Sequence, residues 1–399
     1  MQNIKKYDLL IKNIHIIDPF QEIDSINDIA FKNGKVKEIG KELNVKETKY
    51  VLNENKYIIV PGLIDFHVHV YWGGTALGVN ADSYCINQGV TTCMDAGSAG
   101  AANFNGFKKF IINNSKTRIL AFLNISFPGI FGIWKNLDIG EHLDTRLLSI
   151  DAAEEVYNKF KKDIVGIKVR ASFRNNENAS LSPIYIAKEA AKRIKKPMMV
   201  HIRQAPPFVY EILSLLREGD ILTHCFRYPN SIIDEKGNLI KEIKDAKERG
   251  VILDIGHGRG SFSFKVAKRA MEQNIFPDII STDLHVDSIG EPVCGLITTL
   301  SKFLGLGMKL NDVIKSATFN PAHAVGMEKE IGNLRPNSEG DATILELQNK
   351  NVTLFDSYGE SLEVNRILRY IATISKGKIV NISNKNKLKI IDNSNLEIS

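Results

Sequence analysis

A chain of 399 residues is too long for one small core; it fits one large barrel with a smaller satellite, or two to three average domains. With 43% hydrophobic and 25% charged residues it has the balance of an ordinary soluble globular protein. Lysine plus arginine, 52 against 46 acidic residues, give a net charge of only +6, scattered without the long basic runs that a nucleic-acid partner would need.

The four cysteines, Cys85, Cys93, Cys225 and Cys294, include no CxxC pair. They do not look like a disulfide framework or a zinc knuckle, and read as small buried hydrophobes in a reducing compartment. The start, Met1-Gln2-Asn3-Ile4-Lys5-Lys6, lacks a hydrophobic signal core. No stretch reaches the ~18 apolar residues of a membrane span. A cytoplasmic protein with no membrane partner is expected.

The first sixty residues predict short strands at Tyr7–Lys12 and Ile14–Ile17, ending at Asp18-Pro19. Ile29–Lys32 and Lys35–Ile39 flank Asn33-Gly34, a hairpin turn signal, and Tyr57–Val60 follows. The module is expected to be antiparallel. From Pro61 to about residue 330, apolar runs alternate with helical patterns. Eight runs stand out: Leu63–Val70, Val90–Ala96, Ile119–Ser126, Ile164–Val169, Met198–Ile202, Ile221–Cys225, Val251–Ile255 and Ile279–Thr282. Near-continuous apolar strands separated by helices indicate a parallel sheet buried on both faces. One helix is predicted to open with Ser182 as N-cap and Pro183 in its first turn, burying Ile184, Ala187, Ala190, Ala191 and Ile194.

Eight such units predict a (β/α)8 TIM barrel. A doubly wound open sheet is the runner-up, and the chain has no GxGxxG or GxxxxGK[ST] to support it. Beyond residue 330 the pattern returns to strands at Asp341–Leu345, Val352–Phe355 and Lys378–Ile382. Residues 1–60 and 331–399 are therefore expected to form one composite β-sandwich flanking a barrel domain at 61–330. The tip from Asn384 to Ser399 is polar and expected to be loosely ordered.

Catalytic residues of TIM barrels sit at the C-terminal ends of strands. The first predicted strand ends in His67-Val68-His69, where alternation puts both imidazoles on one face. The fourth carries Lys168, the fifth ends in His201, the sixth in His224 and the eighth in Asp283. A lone strand-end histidine is more often structural than a ligand, and a lone lysine there usually snorkels or pairs. Ligand-type side chains at five ordered strand ends point to a metal site.

These residues carry a resemblance. Pro61-Gly62-Leu63-Ile64-Asp65-Phe66-His67-Val68-His69 resembles the opening motif of the amidohydrolase superfamily. Asn320-Pro321-Ala322 before Gly326, and Gly332-Asn333-Leu334 followed by Gly340-Asp341-Ala342, resemble two of its later segments, with Thr343 where the family has Asp. The resemblance covers nearly the whole chain. Within the superfamily it looks closest to the deacetylase-like group, near dihydroorotases and D-aminoacylases. That placement leans on Lys168-Val169-Arg170 and on Gly256-His257-Gly258-Arg259-Gly260-Ser261-Phe262.

The resemblance implies two divalent metal ions, with Zn2+ the expected metal. His67, His69 and Asp283 would hold the more buried ion, and His201 and His224 the more exposed one. A CO2-derived carbamate on Lys168 and a hydroxide would bridge them, with Asp283 as general base and acid. Bare Lys168 would worsen the repulsion of two dications, whereas an anionic carbamate relieves it.

Arg170, Arg203, Arg227, His257 and Arg259 are expected to surround the site and bind a carboxylate, although any one of them could instead pair with a loop acid. The expected activity is hydrolysis of an amide or ester of a small acylated, carboxylate-bearing substrate. A cyclic amidase of dihydroorotase type is the alternative, and a metal-free scaffold of the same fold a remoter one. A homo-oligomer is compatible with the class.

Overall fold

A computed structural model describes residues 5–134, 137–138, 141, 144–171, 181–384, 388 and 390–393. Seven parallel strands neighbour one another in chain order: Leu63–Val68, Val90–Gly100, Arg118–Asn124, Ile164–Ala171, Met198–Ile202, Ile221–Thr223 and Ile252–Asp254. Helices alternate with them, among them Phe104–Phe110, Ile150–Lys159, Ser182–Arg193, Val209–Leu215, Lys241–Glu248 and Phe264–Glu272; Leu296–Gly305 follows the closing segment. In Ser182–Arg193 the expected apolar face is buried, with Ile194 just beyond it, but Leu181 rather than Ser182 is the N-cap and its side chain makes no cap bond.

The eighth predicted run, Ile279–Thr282, is not a regular strand. Isolated parallel bridges join Ile279 to Asp254 and Leu284 to Val68, so the segment closes the barrel between the last and first strands. The reason for its irregularity is local. The Thr282 amide donates to the Asp65 carboxylate at 3.0 Å instead of to a neighbouring strand, and Asp283 bends the chain at φ 50°.

The lower barrel is filled by Ile64, Phe66, Met94, Leu120, Phe122, Val165, Met199, Ile221 and Ile279. One step of two residues along a strand lifts the inward position from this apolar plug to a polar layer. Phe122 gives way to Asn124, Met199 to His201, Ile221 to Thr223 and Ile252 to Asp254. The polar layer thus lies toward the C-terminal strand ends, where barrel chemistry is built.

Both chain ends meet in a nine-stranded sheet beside the barrel. Asn33 and Gly34 both have positive φ, 50° and 79°, as the predicted hairpin turn requires. The N-terminal part is mixed rather than antiparallel. Tyr7–Asp18 pairs in parallel with Thr48–Asn53 and with Ile58–Pro61. It is one strand, with a register shift at Asn13, where Asp28 accepts the Asn13 amide at 2.9 Å.

Ile58–Pro61 in turn pairs antiparallel with Ala342–Phe355 and so joins the two chain ends. Ala342–Phe355 pairs with Ser361–Ser375, a 15-residue strand absent from the sequence reading. Its C-terminal half is buried on both faces at Ile371–Ile374 and its N-terminal half is studded with Asn, Arg and Glu, so alternation is lost. Within the expected loose tip, Ile390–Asp392 pairs with Thr48–Asn53; residues 385–387, 389 and 394–399 lie outside the described residues. Cys85, Cys93 and Cys225 are buried as expected, but Cys294 is exposed; all four are free thiols. Among the described residues, no helix is long and apolar enough to cross a membrane.

Candidate active site

The structure brings His67, His69 and Asp283 together, with one ligand-type atom from each within 4.8 Å of the others. Asp283 Oδ1 lies 3.5 Å from both His67 Nε2 and His69 Nε2. His224 joins them, its ring centroid 5.0 Å from that of His67, and His201 follows at 4.2 Å from His224. All four imidazoles are buried. Burial, with the nearby Lys168 charge, holds each of them well below the usual histidine pKa, so they are neutral ligands-in-waiting.

Hydrogen bonds fix which ring nitrogens are bare. The Thr223 hydroxyl donates to Asp254 Oδ2 at 2.6 Å, so at 2.8 Å it can only accept from His67 Nδ1. His67 Nε2 is left bare, buried and without a partner. A buried unpaired acceptor beside a carboxylate and a second imidazole is a donor set waiting for a cation. His69 Nδ1 is likewise held by Ser98 Oγ at 2.8 Å, and Ser98 bonds to Asp95.

At the second pair, His224 Nδ1 donates to Gly256 O at 2.6 Å, leaving Nε2 bare. That nitrogen faces His201 Nδ1 at 2.8 Å, while Arg170 Nη1 donates to His201 Nε2 at 2.8 Å. The proton between the two rings is the one a metal would displace. The residues therefore fit a pair of divalent cations. Two backbones also take unusual conformations here: His224 and Asp283 have φ of 65° and 50°. Such strain in non-glycine residues is typical of functional sites.

Lys168 is buried, and its Nζ donates to Ala96 O at 2.9 Å. Desolvation, then the Arg170 guanidinium, pushes its amine down to about 8. Gly97, at φ 83°, lets the strand pass against the lysine stem: a Cβ there would lie 2.6 Å from Lys168 Cβ. Burial pushes the Asp283 carboxyl up to about 8, against the opposing pull of Lys168 and Arg170.

The chain matches the amidohydrolase family over residues 58–380. It belongs to the amidohydrolase family. A relative called a deacetylase, from Brucella anthropi, is 38% identical, with 90% of this chain and 89% of that protein aligned. Another deacetylase, from Agrobacterium fabrum, is 37% identical over 84% and 82% of the two chains. A solved structure called an adenine deaminase superposes with a TM-score of 0.87 at 31% identity, covering 94% of this chain and 99% of that one. One called a dihydroorotase gives 0.85 at 34%, covering 93% and 97%. This amidohydrolase is a hydrolase acting on carbon–nitrogen bonds.

Above the amidohydrolase cluster opens a cavity of about 400 Å3. His69, His201 and Asp283 form part of its inner wall, and Arg170, Arg203, Arg227 and Arg259 also line it. Arg170 is the most committed: its Nε donates to Glu141 at 2.6 Å while Nη1 holds His201. Arg227 donates to the Ile202 carbonyl at 2.8 Å, and burial lowers its pKa to about 10. Arg259 is exposed and makes no hydrogen bond or ion pair with any described residue.

His257 is not on the cavity wall. It is buried within the loop after the seventh strand, with Nε2 2.7 Å from Lys302 Nζ and its ring 4.6 Å from that of Phe262. It was misplaced because the loop after the seventh strand turns at Gly256 and Gly258, both at positive φ, which breaks the alternation. Sequence reasoning also missed His285, which lines the cavity and is held down to about 4 mainly by burial. Its position two residues after Asp283 was the available signal.

Two expected outcomes arise here. Thr223→Val removes the acceptor of the His67 Nδ1 proton, and zinc affinity measured by chelator competition should fall roughly 10- to 100-fold. An unchanged dissociation constant would show that Thr223 does not orient the ligand. Lys302 gives a pH signature. Burial lowers its pKa from 10.5 to about 7, so between these values the unfolded chain binds a proton that the folded chain lacks. Stability from this group is therefore least below about 7 and grows as pH rises toward 10. The Tm of the wild type should gain on that of Lys302→Met across that window, by at most about 1.4 kcal/mol per pH unit in stability. Parallel Tm curves would contradict it.

Proposed function

We propose that this amidohydrolase removes the acyl group from a small, carboxylate-bearing amide or ester. The single observation that carries the reading is the bare, buried His67 Nε2 facing Asp283 beneath an arginine-lined cavity. His67, His69 and Asp283 would hold one divalent ion and His201 and His224 a second, with carbamylated Lys168 between them and zinc the metal that suits these donors. Such a pair supplies a water acidic enough to be hydroxide near neutral pH and a Lewis acid for the scissile carbonyl.

The chain's own residues do the rest. Asp283, fixed on a bent segment, takes the proton of the attacking oxygen and returns it to the leaving nitrogen or oxygen. Thr223 and Ser98 keep the His67 and His69 rings oriented. Arg203, Arg227 and Arg259 would bind the substrate carboxylate. The relatives called deacetylases support this choice among amidohydrolase reactions.

The test is acetate release by zinc-loaded protein from N-acetyl-D- and L-amino acids and O-acetyl hydroxy acids. Turnover of one of these, lost in Asp283→Asn, is expected; silence across the panel with two metals bound would overturn the deacetylase reading. The solved neighbour called a dihydroorotase favours a second reading, a cyclic amidase, and opening of the dihydroorotate ring in the same assay would select it.

A further inference from the structure

The turn between the two longest strands of the flanking sheet, Ala342–Phe355 and Ser361–Ser375, does not end in solvent. Its tip, Asp356-Ser357-Tyr358, is docked on the barrel loop 256–264. Ser357 N donates to Phe262 O at 3.0 Å, and Ser357 Oγ donates to Gly258 O at 2.9 Å. The Phe264 amide donates to Asp356 Oδ2 at 2.9 Å. Asp356 Oδ1 also gathers the amides of Tyr358 and Glu360, at 2.8 Å and 3.0 Å, which sets the shape of the tip.

Tyr358 goes further. Its hydroxyl accepts from the Tyr228 amide at 3.0 Å, and its one proton reaches the carbonyls of Gly260, at 2.9 Å, and Tyr228. Its hydroxyl is thus occupied by main chain, so what it offers the cavity is the ring. Tyr358 lines the cavity with Tyr228 and Pro229, while His69, His201 and Asp283 line it from inside the barrel. A space of about 400 Å3 is at the small end of ligand pockets, so an aromatic side chain on its wall bears on how large a group fits.

We propose that Tyr358, carried by the flanking sheet, is the specificity-determining residue of the cavity's outer wall and limits the size of the group lying beyond the reacting bond. The assignment rests on the cavity being the substrate site, as in the proposed function, but not on which bond is cut. The Tyr358 hydroxyl braces the barrel main chain together with Ser357 and Asp356; the residue's place on the cavity wall is what bracing leaves unexplained.

Carboxylates of graded size, acetate, butyrate and benzoate, serve as probes, with their binding to zinc-loaded protein measured by calorimetry. Removing the ring in Tyr358→Ala should raise the benzoate-to-acetate affinity ratio about tenfold. Tyr358→Phe, which keeps the ring, should leave the ratio within about threefold of wild type, a change too small to count as lost selection. Tyr358→Trp should shift it the other way, and decides the matter should the alanine variant not fold. An unchanged ratio in Tyr358→Ala or Tyr358→Trp, or no binding of any probe to the wild type, overturns the proposal. Acetate release is read separately: a shifted ratio with no acyl hydrolysis would remove the deacetylase reading and leave the wall assignment standing.

Discussion

Replacing Asp283 with asparagine is expected to lower kcat by roughly a thousandfold or more, the range of a lost general acid–base. Asparagine preserves the shape and one carbonyl oxygen but cannot take up a proton. In its place an amide group would stand 3.5 Å from His67 Nε2 and His69 Nε2, where Asp283 now presents a carboxylate oxygen. The surroundings should tolerate the change, because the segment is anchored elsewhere: Thr282 donates twice to Asp65, and Ser288 Oγ donates to Asp283 O at 2.9 Å. The kinetic loss should therefore appear with unchanged circular dichroism and with some metal retained. Activity within about tenfold of wild type would remove Asp283 from the proton-transfer role.

With the proposed two-zinc site, Lys168→Ala is expected to lower zinc from two equivalents per chain toward one, measured by elemental analysis, and to abolish turnover. Two dications a few ångströms apart repel strongly unless an anion lies between them. The neutral amine is the form that adds CO2, and with its pKa near 8 Lys168 is about half neutral at that pH, far more than an exposed lysine. Reconstitution with 13C-labelled bicarbonate should give a carbamate resonance in the wild type and none in Lys168→Ala. Two tightly bound zinc ions in the variant would show that Lys168 is not the bridge.

The primary cluster was legible because it obeys two rules that act locally in sequence. Strand alternation and the barrel's habit of placing chemistry at strand ends bring out His67, His69, Lys168, His201, His224 and Asp283 without any partner being known. The residues that orient them were not legible. Thr223 meets His67 across 156 positions and Asp254 across 31, and neither breaks an apolar pattern in a way that names its partner. A lone aspartate between Leu253 and Ile255 was the one hint. Tyr358 was hidden for the same reason: a turn residue meets Gly260 across 98 positions, and nothing local marks it. The eighth strand and His257 were misread where side-chain acceptors and positive-φ glycines override periodicity, at the mouth itself.

The sheet shared by the two chain ends has a consequence for synthesis. Ile58–Pro61 pairs on one side with Tyr7–Asp18 and on the other with Ala342–Phe355, and Leu63 finds its Thr343 partner 280 positions later. At ribosomal speeds of about 5–20 residues per second, roughly a quarter of a minute to a minute separates the emergence of these partners. Throughout that interval the nascent N-terminal strands present an open, apolar edge, so the newborn chain should lean on holding chaperones until Ala342–Phe355 has emerged.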